Sequence, residues 1–105
     1  MAIENDLVRI CSVGELPAEG AVHEFPAGKK MLCIAKLNGV ISALDNECSH
    51  HGGPLGQGMI ENGKVICPWH AYAFDLTTGL CDDDADERVR VFEVTVSGDD
   101  VLVKL

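Results

Sequence analysis

The chain has 105 residues, of which 47% are apolar and 24% charged, the balance of a globular protein that builds one modest core. Eight basic side chains stand against 17 acidic ones, a formal net charge of −9, which argues against nucleic acid as a partner because such binding rests on neutralised phosphates. No apolar run approaches membrane-spanning length, and Met1-Ala2-Ile3-Glu4-Asn5-Asp6 has no secretory pattern, so the expectation is one cytoplasmic domain over residues 1–105 with no membrane partner.

In chain order, Leu7–Ser12 reads as a first strand. Gly14–Gly20 is turn-rich with at most one short helical turn, and Ala21–Phe25 is a second extended piece. Pro26-Ala27-Gly28-Lys29 is predicted to turn. Lys30–Leu37 and Val40–Leu44 are strand-like runs joined by Asn38-Gly39, a pair suited to the positive φ angles of a type I′ hairpin. Residues 51–58, rich in glycine, are expected to hold no helix. Met59-Ile60 and Lys64–Ile66 flank a second Asn-Gly turn at Asn62-Gly63, Ala71–Asp75 continues as strand, and Leu76–Gly79 turns, with Asp75 as its cap. Arg88–Ser97 alternates with period two, placing Phe92, Val94 and Val96 inward; Gly98-Asp99-Asp100 turns it back onto Val101–Lys104. Nowhere do ten residues show a capped helical period. The fold class is therefore all-β, about nine or ten short strands in small packed antiparallel sheets.

Each of the two Asn-Gly hairpins runs into a pair of metal-binding side chains. The first leads to Cys48-Ser49-His50 and the second to Cys67-Pro68-Trp69-His70, with residues 51–66 between the pairs. Two thiols and two imidazoles make a complete ligand set for zinc, or for a two-iron cluster in which histidines replace two cysteines on one iron. The other cysteines have no framework spacing: Cys11 and Cys33 sit in apolar runs as core candidates, and Cys81 lies beside Asp82-Asp83-Asp84, which should disfavour its thiolate.

The chain reads C-x-H-x-G-x-x-L and then C-P-W-H-x-x-x-F-D, which closely resembles the Rieske-type [2Fe–2S] motif. The resemblance implies one [2Fe–2S] cluster, with Cys48 and Cys67 on the iron that stays ferric. His50 and His70 would hold, through Nδ1, the iron that changes valence. It also implies a basal β-sandwich carrying a cluster-binding subdomain made of the two ligand loops. His51 falls on a variable position and reads as a solvated loop residue. Ala71 replaces the usual glycine, a small intrusion that should leave binding intact. Trp69 and Pro54 are expected to cover the cluster or fill the space between loops, and Leu55 and Phe74 to support it from the core.

Four ligands leave no open coordination position, so the expected role is one-electron transfer rather than catalysis. High-potential members of the family carry a disulfide between the loops and a serine that donates to a bridging sulfide. Here the corresponding positions are Gly53, Trp69 and Tyr72, so a low potential is expected. The chain thus looks like the ferredoxins of bacterial aromatic-ring-hydroxylating dioxygenase systems, which accept electrons from a flavin-dependent ferredoxin reductase and pass them to a terminal oxygenase. The alternatives are a small subunit of assimilatory nitrite reductase and a zinc-stabilised β-module that binds other proteins. Cys81–Glu87, with five acidic side chains, is either a steering surface toward a basic partner or plain solvated charge.

Overall fold

Asn38 and Gly39 adopt φ angles of 55° and 76°, and Asn62 and Gly63 adopt 53° and 79°, so both Asn-Gly pairs form the tight turns their residue types predict. A computed structural model describes residues 7–28, 30–47, 54–69, 72–81 and 88–104. Among these lie nine strands: β1 (Leu7–Ser12), β2 (Ala21–Ala27), β3 (Lys30–Leu37), β4 (Val40–Asp45), β5 (Met59–Glu61), β6 (Lys64–Ile66), β7 (Ala73–Asp75), β8 (Val91–Ser97) and β9 (Asp100–Lys104). Every pairing is antiparallel. The six-stranded sheet has the order β1-β9-β8-β4-β3-β2 and curls until β1 and β2 meet; β5-β6-β7 form a separate three-stranded sheet. The all-β expectation holds.

Two cores explain the sequence pattern. One fills the curl of the large sheet with Leu32, Ile34, Ala43, Phe92 and Val103, joined by Val8 and Ile10 of β1. The other lies between β2–β4 and the small sheet, with Val22, Cys33, Ala35, Leu44, Leu55, Val65, Cys67 and Phe74. Alternate residues of β3 enter different cores, so Leu32, Cys33, Ile34 and Ala35 are all fully buried. That double burial is why β3 reads as a continuous apolar run rather than an alternating one.

Four local expectations are corrected. Pro26 continues β2 opposite Met31 instead of turning; β2 is an edge strand, where proline's missing N–H costs no ladder bond. A single 3₁₀ turn, Leu55–Gln57, forms within the glycine-rich segment, where Gln57 N donates to the Pro54 carbonyl at 3.0 Å. Strand β8 begins at Val91, because Arg88 and Val89 pair instead with the small unit, Val89 N donating to the Gly79 carbonyl at 2.9 Å. Val96 is 48% exposed rather than inward, since β4 pairs with β8 only at Phe92 and Val91 and gives no cover farther along.

Candidate metal centre

The first ligand loop leaves β4 and returns at Pro54. Its stem is closed by a bridge between Glu47 and Pro54 and by Leu55 N donating to the Asn46 carbonyl at 2.8 Å. The second loop leaves β6 at Cys67, whose N–H donates to the Tyr72 carbonyl at 2.8 Å. Cys67 is 1% exposed and shares a buried cluster with Leu55, the residue just after the first loop. Both stems are therefore anchored to one core. Of the four ligands expected from the sequence, the structure locates Cys67; Cys48, His50 and His70 lie outside the described residues, as do His51, Gly53, Ala71 and the acidic run Asp82–Glu87.

The supports divide differently from the sequence reading. Leu55 and Phe74 are fully buried, as expected, and Pro54 is half-buried. Trp69 is 58% exposed, so its ring does not fill space between the described stems. Cys11 and Cys33 are core residues, and burial pushes the Cys33 thiol up to about 12, so it stays protonated at any ordinary pH. Cys81 is also a core residue, packed in the cluster that holds Cys67 and bridged to Phe74. Asp75 caps its turn as predicted: its Oδ1 accepts from Thr77 N at 2.7 Å and Thr78 N at 3.0 Å, which holds the carboxyl below its ordinary value.

A family model described as the Rieske [2Fe–2S] domain matches residues 6–100. The chain belongs to the Rieske domain family. It is 35% identical over 100 residues to the ferredoxin component of biphenyl 2,3-dioxygenase from Rhodococcus jostii (strain RHA1), a match covering 94% of this chain and 92% of that one. Apoptosis-inducing factor 3 of Homo sapiens is 32% identical over 96 residues, but the chain spans only 16% of that relative's length. Among solved structures, the ferredoxin of carbazole 1,9a-dioxygenase from Nocardioides aromaticivorans IC177 superposes with a TM-score of 0.83 at 26% identity, covering 92% of this chain and 95% of that one.

The group a Rieske domain holds is one [2Fe–2S] cluster, and the described residues fit it. A buried thiol opens one loop, and the other loop leaves the same core through a hydrogen-bonded stem. Two thiols and two imidazoles, the donor set expected from the sequence, would have the softness and charge that such a cluster takes.

Sequence reasoning passed over the residues that hold the first stem. Asn46 is the buried polar residue among those described, 7% exposed, and Glu24 reaches it from β2. A signal was present: Glu24 shares the parity of Val22, whose side chain faces the small unit, so a carboxylate stands at an apolar position of the strand.

Proposed function

We propose that this protein is a one-electron carrier, a single domain whose [2Fe–2S] cluster is held by Cys48 and Cys67 on one iron and by His50 and His70 on the other. It accepts electrons from a flavin-dependent ferredoxin reductase and delivers them to a terminal oxygenase of an aromatic-ring-hydroxylating system. The observation that carries this reading is the match with the Rhodococcus ferredoxin component, 35% identical over 94% of this chain and 92% of that one.

When bound, the cluster supplies one reversible oxidation step. The chain's own residues supply the rest. The stems fix the two loops, and the core beneath Cys67 keeps water from one side of the site. The free thiols Cys11, Cys33 and Cys81 are all buried, which suits a reducing compartment and supports a cytoplasmic location.

Iron and acid-labile sulfide analysis of the purified protein tests the reading directly. The expected content is two of each per chain. Cys48→Ser and Cys67→Ser should yield colourless protein. One zinc per chain without sulfide would overturn the reading and favour a zinc-stabilised module. An iron–sulfur protein that is not reduced by such a reductase would overturn the choice of partner.

A further inference from the structure

Asn46 uses every polar group it has. Its backbone N–H donates to the Met31 carbonyl at 3.2 Å, extending the β3–β4 ladder, and its carbonyl accepts from Leu55 N at 2.8 Å. Its side-chain Oδ1 accepts from Gly56 N at 2.6 Å, and its Nδ2 donates to Glu24 Oε2 at 2.7 Å. Glu24 Oε1 in turn accepts from Gln57 Nε2 at 3.1 Å. The amide orientation of Asn46 is forced, since an N–H faces one end and a carboxylate the other. Gly56 is part of the same fit: a Cβ there would lie 2.4 Å from Glu24 Cγ and 2.8 Å from Asn46 Oδ1.

The network joins three separate pieces of chain. Glu24 stands on β2, Asn46 leaves β4 two residues before Cys48, and Gly56 and Gln57 lie in the turn where that loop returns. Cysteine and histidine ligands separated by one residue must both reach the metal, so the separation and tilt of the loop's two ends decide whether they can. The Leu55–Asn46 backbone bond and the Glu47–Pro54 bridge close the stem, and the Asn46–Met31 backbone bond ties its outgoing end to β3. The Glu24–Asn46 pair ties the stem farther, across to β2.

We infer that Glu24 and Asn46 are positioning residues for the metal centre, holding the Cys48–His50 loop in register with the Cys67 loop. This rests on the proposed cluster ligation. The carboxylate is suited to the task because each of its oxygens faces a different N–H₂ group. A charge-assisted bond to a part-buried partner is stronger and more directional than a neutral one.

Exchanging donor and acceptor tests the pair. In Glu24→Gln, the bond from Asn46 loses its charge assistance, and the new amide meets both neighbours only if the exposed Gln57 turns its own amide over. In Asn46→Asp, a second carboxylate faces Glu24 and repels it. The double variant Glu24→Gln/Asn46→Asp restores every bond in mirrored form. The new amide at position 24 donates to the new carboxylate at position 46 and accepts from Gln57, and that carboxylate still accepts from Gly56 N. The holoprotein is challenged with an iron chelator while loss of visible absorbance is followed, and electron paramagnetic resonance g values are recorded for the reduced form. Each single variant should lose its cluster about tenfold faster, with shifted g values, and the double variant should return to within about threefold of the wild type. Gln57→Ala removes only the outer bond at an exposed side chain. It should speed loss by about threefold and keeps the test alive if a single variant fails to fold.

Variants that are less heat-stable but keep wild-type g values and cluster-loss rates would make the network merely structural and overturn the inference. So would a folded double variant that recovers neither property. A wild-type protein without iron and sulfide would overturn the proposed ligation, and this inference with it. A fully loaded wild type beside unchanged variants would overturn this inference alone.

Discussion

Gly58 and Gly39 separate two reasons for glycine. At Gly58, φ is −87°, open to any residue, yet a Cβ would lie 1.9 Å from the Ile66 carbonyl oxygen. At Gly39, φ is +76° and nothing stands within 4 Å. Gly39→Ala should therefore cost about 1–2 kcal/mol through backbone strain alone. Gly58→Ala should cost about 3 kcal/mol or more, because the obstacle is backbone of the paired strand. Urea midpoints of the two variants check the order; equal shifts would contradict it. Asp75 gives a residue-scale pH effect. Its two N–H partners hold its folded value below the ordinary 3.8, so its contribution is fully present above the unfolded value and lost as pH falls through the folded one. Melting temperatures between about pH 5 and pH 2 should fall less steeply for Asp75→Asn than for the wild type. Parallel acid limbs would remove Asp75 from the account.

At the scale of elements, Leu55 links the first ligand loop to the core beneath the second. It is fully buried among residues of both sheets and sits in the turn that receives the returning loop. Leu55→Ala should destabilise the fold by about 2–5 kcal/mol, as buried leucine truncations do, read from chemical denaturation with the protein loaded. A loss below about 1 kcal/mol would mean the small sheet and its loops are held by hydrogen bonds instead. The two Asn-Gly hairpins were legible beforehand because their signal lies within four residues and depends on backbone sterics. The path of Arg88–Arg90 was not legible. Its alternation fits a strand, but Val89 pairs with Gly79 and Val91 with Leu44, so the partner changes between them. A period of two reports which side chains share a face; it does not report which neighbour covers that face.

For the molecule as a whole, the formal charge of −9 makes electrostatic steering toward a basic partner the expected mode of encounter. Bimolecular electron transfer with the proposed reductase should slow as ionic strength rises and the Debye length shrinks to about 8 Å, measured by stopped flow. A rate independent of salt would leave the acidic surface as solvated charge. The absence of cysteine at positions 53 and 69 and of serine at 72 removes the disulfide and the hydroxyl donor of high-potential relatives. A midpoint near the low end of the Rieske range, about −150 mV, is therefore expected, with dithionite required for reduction. Reduction by ascorbate would contradict it.

The sequence by itself determined the two hairpins and the all-β class, and it carries the proposed ligand chemistry. Each is local: a spacing of thiol and imidazole, a turn that needs positive φ, an absence of helical period. The tertiary structure decided what holds the first loop. Glu24, Asn46 and Gln57 are distant in sequence and carry no motif, and they become one network because β2, β3 and β4 are adjacent strands with fixed register. It also decided that Trp69 is exposed and that β3 is buried on both faces. The curl of the large sheet covers one face of β3 and the small sheet covers the other, while Trp69 stands past the end of β6 in the small sheet; how the two sheets pack is something no single segment encodes.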